Sequence, residues 1–281
     1  MSIELPEVVV LSRQMKEHLI GKKIESYSLD NYEKLQKSGF FNKNISDYDE
    51  MVSFKQSVER KKEAFKEIIK PWMKTSADLG CGTGADSIAL ASLGLKVTGF
   101  DPSSEMIRVA NENAKKEKLD IAFHISSIHS IPESLTNKFD MVVSLGNTFA
   151  NVERRFFSSS IKKCSELLKP NGVLVIQVLN YEKILSEEKR IVNIREGKES
   201  YFIRFYDFID NEITFNILIF KKEKPSEHKL ISTKLFPHTR DDFDNILKKM
   251  EFSKVEYFSE FELATFHKEQ SKDLIIRAIK E

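Results

Sequence analysis

Apolar and polar positions change rhythm three times along the chain. Before residue 72, two stretches repeat apolar residues at helical spacing. In the first, Pro6 stands near a helix start and Gly21 closes it. In the second, Phe54, Val58, Phe65, Ile68 and Ile69 share a face, and Pro71 is expected to end the helix. Short apolar runs then alternate with amphipathic ones. Residues 75–80, 96–101, 121–126, 139–146 and 173–180 read as strands. Residues 85–94, 103–118 and 154–172 read as helices; Gly94 closes the first, Ser103 or Ser104 caps the second, and Pro170-Asn171-Gly172 stops the third. This alternation predicts an α/β fold, a doubly wound and mostly parallel sheet with helices on both faces. From about Arg190 the period drops to two. Residues 200–210, 211–223 and 228–239 predict antiparallel strands, with a turn at Asp210-Asn211. A helix over 241–252 and strands over 254–261 and 273–281 close the chain. The division expected is therefore an N-terminal helical segment over 1–47, a core over 48–189, an antiparallel insert over 190–239 acting as a substrate lid, and a C-terminal helix with closing strands over 240–281.

Composition narrows the function classes. Hydrophobic residues make up 41% of the 281, enough for a substantial core. Lys and Arg number 44 against 43 Asp and Glu, a net charge of +1, so overall charge does not point to nucleic acid. No apolar run is long enough to span a bilayer, and no signal-peptide core stands at the N-terminus. The two cysteines, Cys81 and Cys164, form neither a metal pattern nor a disulfide framework, so a cytoplasmic location is expected.

The chemistry is concentrated in residues 78–84, "DLGCGTG". Gly80, Gly82 and Gly84 alternate after the first strand, and Asp101 ends the second. Alternating glycines let the backbone turn tightly and approach a ligand. Asp78 can hold the turn and receive a ligand's ammonium, directly or through water. Asp101 can accept both hydroxyls of a ribose. The place is the crevice beyond the carboxyl ends of parallel strands, where open α/β sheets bind ligands. Dinucleotide enzymes space their glycines G-x-G-x-x-G, one residue wider; an NAD reading stays open, because Asp101 would also hold an adenosine ribose.

The glycine loop, the acid before it and the second acid together resemble the S-adenosyl-L-methionine site of class I methyltransferases. The stretches "CGTGADSIALASLGLKVTGFDPSSEMI", "FDMVVSLGNTFANV", "LKPNGVLVIQVLNYEKIL" and "LFPHTRDDFDNIL" follow in an order similar to the glycine/sarcosine N-methyltransferase branch, from about Tyr48 onward. The resemblance implies a Rossmann-like fold and S-adenosyl-L-methionine as cofactor, leaving as S-adenosyl-L-homocysteine. It implies that Gly80, Cys81, Gly82 and Gly84 line the methionine part of the cofactor. Asp101 takes the ribose, with Pro102 beside it, Met106 packs near the adenine, and Ser127 and Ile128 stand at the adenine edge. Leu145 and Gly146 lie at the methionine end, and Arg60 is the nearest candidate for the cofactor carboxylate. Asn147, Tyr181 and Tyr206 are the candidates for orienting the acceptor, with Asn180 and His238 as further polar groups. No metal is implied.

One departure bears on the substrate. The glycine enzymes place an Arg just before the Asn-Tyr pair to hold the amino acid's carboxylate, and here that position is Leu179. An acceptor without that carboxylate, or one held by Arg204 or another base on the insert, fits better. The expected partner is a small-molecule methyl acceptor, reacting at an amine nitrogen; a homo-oligomer is left open. The alternatives are a tRNA or DNA methyltransferase and a nonenzymatic cofactor-binding protein. The first lacks support in "SLGNTF", which differs from the N-P-P-Y/F or D-P-P-Y/F motif of nucleobase amino methyltransferases. A separate resemblance covers about twenty residues from Glu4, similar to the first helix of formamidopyrimidine-type DNA glycosylases, with Ile3 where that family has its proline nucleophile.

Overall fold

The computed structural model describes residues 54–209, 212–250, 252–261 and 263–281. The helix expected over Pro6–Gly21, with its glycosylase-like stretch, and the Asp210-Asn211 turn lie outside them. The described residues fall into two compact units, one formed by 188–235 and the other by the rest.

In the larger unit, α1 (Phe54–Ile68) precedes β1 (Thr75–Leu79), α2 (Ala85–Ser92), β2 (Lys96–Asp101), α3 (Ser104–Lys116), β3 (Ala122–Ile125), β4 (Phe139–Ser144), α4 (Arg154–Leu167), β5 (Leu168–Leu179) and α5 (Tyr181–Glu187). Seven strands form one sheet in the order β10-β11-β5-β4-β1-β2-β3, where β10 is Phe252–Phe258 and β11 is Asp273–Lys280. β1 to β5 run parallel, while β11 is antiparallel to β5 and β10 to β11. The chain winds outward from β1 to β3, then restarts beside β1 with β4. That reversal puts the switch point between β1 and β4, with the glycine turn above it. The central strands are buried on both sides, which is why they read as continuous apolar runs. Val58, Phe65 and Ile68 of α1 pack with Ile88, Leu90, Val97, Met141, Val143, Val175 and Ile275 into the core on one face.

One boundary differs from expectation. α4 stops at Leu167, before Pro170-Asn171-Gly172, and β5 already pairs at Leu168 with Phe139. The buried Lys280 bridges the junction: its ammonium donates to the carbonyls of Ser165, near the helix end, and Leu168, the first residue of β5, at 2.9 and 3.0 Å. The Pro-Asn-Gly residues lie instead inside β5, where its register against β4 shifts.

The smaller unit is an antiparallel sheet of β6 (Ile191–Glu196), β7 (Ser200–Ile209), β8 (Glu212–Lys221) and β9 (His228–Leu235), in that order. β6 was not expected. A register irregularity between Ile191 and Asn193 breaks its alternation, so the period-two signal is lost. Ile191, Tyr201, Ile203, Phe205, Leu218, Phe220 and Leu230 form the core of one face. A polar seam crosses the sheet. Arg190 pairs with Asp207, Asn216 donates to Asp207 at 2.8 Å, and Ser232 donates to Asn216 at 2.6 Å. The chain re-enters the larger unit at Phe236, and α6 (Arg240–Leu247) follows, capped by Thr239 in a capping box with Asp242.

Candidate active site

The glycine turn is folded over the end of β2. The N–H groups of Gly80 and Cys81 both donate to the Phe100 carbonyl, at 2.7 and 3.0 Å. Gly80 sits at φ +78°, and a Cβ there would lie 2.3 Å from the Thr148 methyl, so the position needs glycine for both conformation and space. Gly82 also has a positive φ, yet open space surrounds its missing Cβ. Its N–H donates to Asp101 Oδ2 at 3.0 Å, while Asp101 Oδ1 accepts the Ser103 N–H at 2.9 Å. The Asp101 carboxylate is thus fixed before any ligand binds, and each oxygen keeps a lone pair. Burial raises its pKa above the usual carboxylate range. Gly84 closes the turn as the residue before α2.

Asp78 is buried at the end of β1 and accepts the Ser87 hydroxyl at 2.6 Å. Burial, then the neighbouring Asp86, pushes its carboxyl up to about 7. Asp86 in turn is gripped by Lys61 of α1, whose ammonium lies 2.5 and 2.6 Å from its two oxygens. α1 thus brings the Lys61 ammonium to the first turn of α2. Arg60, the candidate from sequence, is exposed one position earlier. Cys81 is buried, and burial moves its thiol well above its ordinary pKa, so it lines the turn as an apolar group.

The expected adenine side assembles around Asp101. Pro102 is exposed, and Met106 is buried in the first turn of α3, its N–H held by the Ser103 hydroxyl at 3.1 Å. The loop after β3 is tied back by the Ser126 N–H to the Asp101 carbonyl at 3.0 Å. Ser127 follows, donating to Ser130 at 2.9 Å, and Ile128 is buried behind it.

The other side gathers at the ends of β4 and β5. Leu145 is buried, Gly146 is exposed with φ +65°, and Asn147 is left-handed at φ +67°, a conformation Asn tolerates. Asn147 is tied at three atoms. Its N–H donates to Gln177 Oε1 at 3.2 Å, Oδ1 accepts the Leu179 N–H at 3.0 Å, and Nδ2 donates to the buried Tyr181 hydroxyl at 2.8 Å. Gln177 continues the chain by donating to Asp273 at 2.7 Å. The structure thus joins Asn147 to Tyr181 and adds Gln177 and Asp273, which sequence reasoning missed. The signal available was Gln177 itself, one amide inside the apolar run 173–179.

The other polar groups have different duties. Asn180 spends its amide on the carbonyls of Lys268 and Ser271, at 2.7 and 2.9 Å, pinning the loop before β11. His238 stacks on Phe157 at 3.8 Å between ring centres, and its Nε2 lies 2.9 Å from the Val152 carbonyl; burial lowers its pKa. Tyr206 belongs to the smaller unit, where its ring leans on Phe208 and Phe215 and burial raises its phenol to about 12. Arg204 lies on the same strand, β7. Among the described residues no group of three or more His, Cys, Asp or Glu could hold a metal ion, and no helix is long and apolar enough to cross a membrane.

A glycine turn above the switch point of a mostly parallel sheet, with a fixed acid ending the next strand, defines a nucleotide-type cofactor crevice of an open α/β sheet. The chain belongs to the methyltransferase-domain family, whose model matches residues 74–249. It is 25% identical over 272 residues to a glycine/sarcosine N-methyltransferase of Aphanothece halophytica, covering 92% of this chain and 94% of that one. A ubiquinone biosynthesis O-methyltransferase of Pelagibacter ubique is 39% identical over 105 residues, 37% of this chain and 41% of that one. Among solved structures, an S-adenosylmethionine-dependent methyltransferase from Clostridium acetobutylicum superposes with a TM-score of 0.68 at 16% identity, over 86% of this chain and 99% of that one. The protein is a methyltransferase with S-adenosylmethionine as its cofactor. The residues present fit that group. Asp101 offers fixed acceptors for a diol, Gly82 leaves open space at the turn, and Met106 and Ile128 supply apolar surface on the expected adenine side.

Proposed function

We propose that the protein methylates the nitrogen of a small-molecule amine that does not carry glycine's free carboxylate. The observation behind this is Leu179. It stands at the end of β5 with its N–H held by Asn147, and its aliphatic side chain offers no donor to an anion. Burying a carboxylate there without a partner is costly. The relative matched over most of both chains is named as an N-methyltransferase, which favours nitrogen over oxygen.

When bound, S-adenosylmethionine supplies a methyl group on an already activated sulfonium. The residues of the site then have to position the acceptor and exclude water. Asn147 commits Oδ1 to Leu179 and one amide hydrogen to Tyr181; its second amide hydrogen is the donor proposed to orient the acceptor. The cofactor side is assigned to Gly80, Gly82, Asp101, Met106, Ser127 and Ile128, and its carboxylate to Lys61 in place of Arg60. The deciding experiment incubates the protein with labelled S-adenosylmethionine and a small-molecule extract, then identifies the labelled product by mass spectrometry. A labelled amine is expected. Label found only in nucleic acid, or only on oxygen, would sink the proposal.

A further inference from the structure

The charge of the acceptor follows from a pairing across the sheet. β11 runs antiparallel to β5, and the register sets Asp273 directly opposite Leu179 and Ile275 opposite Gln177. Directly opposed residues share a face of a sheet, so Gln177, Leu179 and Asp273 project on the same side as Val175 and Ile275. Val175 and Ile275 are buried in the core, whereas Gln177, Leu179 and Asp273 are only partly buried. They are therefore the last side chains of that face, where it opens beyond the apolar floor.

Asp273 is placed there with care. Oδ1 accepts Gln177 Nε2 at 2.7 Å, and Gln177 Oε1 accepts the Asn147 N–H at 3.2 Å. One hydrogen-bonded line therefore runs from Asp273 through Gln177 to Asn147 and on to Tyr181. Oδ2 has no hydrogen bond among the described residues, and no described Lys or Arg forms an ion pair with this carboxylate. Arg277, four residues further along β11 and on the same face, is already spent on Glu256 at 2.8 Å. Burial raises the pKa of Asp273, and the Gln177 bond and nearby Lys272 offset this in part, so a cationic partner would relieve a cost the fold leaves standing. A half-buried carboxylate tied to the acceptor-side amide, beside an aliphatic residue that rejects anions, is a receptor for a positive group.

We propose that Asp273 selects the acceptor: its free oxygen receives an N–H of the acceptor's amino group, which first loses one proton to solvent so that the nitrogen lone pair can form the new N–C bond as the sulfonium C–S bond breaks, and the substrate class is basic amines with no carboxylate beside that nitrogen. This rests on the small-molecule amine reading above and adds the sign of the charge. The test uses the full chain. A small-molecule extract is split by ion exchange at pH 7 into cationic, neutral and anionic pools, and each is offered with labelled S-adenosylmethionine. Label is expected in the cationic pool. With the labelled amine purified, Asp273→Asn is expected to raise its KM about tenfold or more, the scale of a lost charged hydrogen bond, with kcat within about threefold. Asp273→Glu should recover part of the loss. Calorimetry with S-adenosylmethionine shows whether each variant keeps its fold and cofactor site. Label in the neutral or anionic pool, or an unchanged KM in Asp273→Asn, would overturn the role of Asp273 while leaving small-molecule methylation standing. Label in no pool would overturn both.

Discussion

Both oxygens of Asp101 are already in use before a ligand arrives, one on the N–H of Gly82 and one on that of Ser103. A carboxylate fixed this way presents its remaining lone pairs without reorganising, which is what a ribose diol requires. Asp101→Ala should weaken S-adenosylmethionine binding by about 1–3 kcal/mol, the scale for a charged hydrogen-bond partner. Calorimetry giving the wild-type affinity would remove Asp101 from the site. A second residue-scale outcome separates two neighbours. Lys61 reaches Asp86 at the start of α2, and Arg60 is exposed on α1. Lys61→Ala should weaken cofactor binding several times more than Arg60→Ala. Lys61 is partly exposed, so the change in stability should stay under about 1 kcal/mol. Equal effects of the two variants would argue that α1 carries no cofactor-directed cation.

At the scale of elements, the ends of β4 and β5 are held together by one side chain. Asn147 bonds Leu179, Gln177 and Tyr181, so it sets the geometry of the turn after β4 as well as presenting an amide. Asn147→Ala should therefore lower kcat by about tenfold or more while changing S-adenosylmethionine affinity less than about threefold, since the interactions lost lie on the acceptor side. Tyr181→Phe, which removes one hydroxyl at a buried position, should cost about 1 kcal/mol in stability. Denaturant melts and steady-state kinetics on both variants check this, and a loss of cofactor affinity equal to the loss of kcat would contradict it. The central strands were legible because they are buried on both faces and bounded by glycine turns. The glycine loop and Asp101 were legible because their spacing in sequence is their spacing across two adjacent strands. β6 was hidden by its irregular register, and the α4–β5 junction is bridged by a lysine more than a hundred residues away, Lys280, which no local pattern shows. Gln177 and Asp273 become neighbours only through the β5–β11 register, and no local pattern encodes that register.

Across the whole of the larger unit, the two ends of the parallel sheet have separate duties. The carboxyl ends of the strands carry the site. The amino ends are tied by Asp140, at the start of β4. Its Oδ2 accepts the N–H groups of Lys74 and Thr75 at 2.8 and 2.9 Å and the Thr75 hydroxyl at 2.9 Å, and its Oδ1 accepts the Lys169 ammonium at 2.8 Å. One buried carboxylate thus joins the starts of β1, β4 and β5. Burial alone would raise its pKa, but the bonds from Lys169, Lys74 and Thr75 outweigh it and hold the carboxyl down at about 2. A folded pKa below the unfolded one means that the unfolded chain binds more protons, so this contribution rises with pH. It is fully present above the unfolded value near pH 4 and is lost as pH falls through about 2. Its size is about 2 kcal/mol. Asp140→Asn should lower the unfolding free energy by roughly 1–3 kcal/mol at pH 7, and the gap from wild type should shrink between pH 4 and pH 2. Other carboxylates titrate alike in both proteins and drop out of that difference. Cofactor affinity at pH 7 should stay unchanged, because the tie lies at the end of the sheet away from the glycine turn. A stability gap that does not vary with pH would show that the shape of the side chain, and not its charge, holds the three strands.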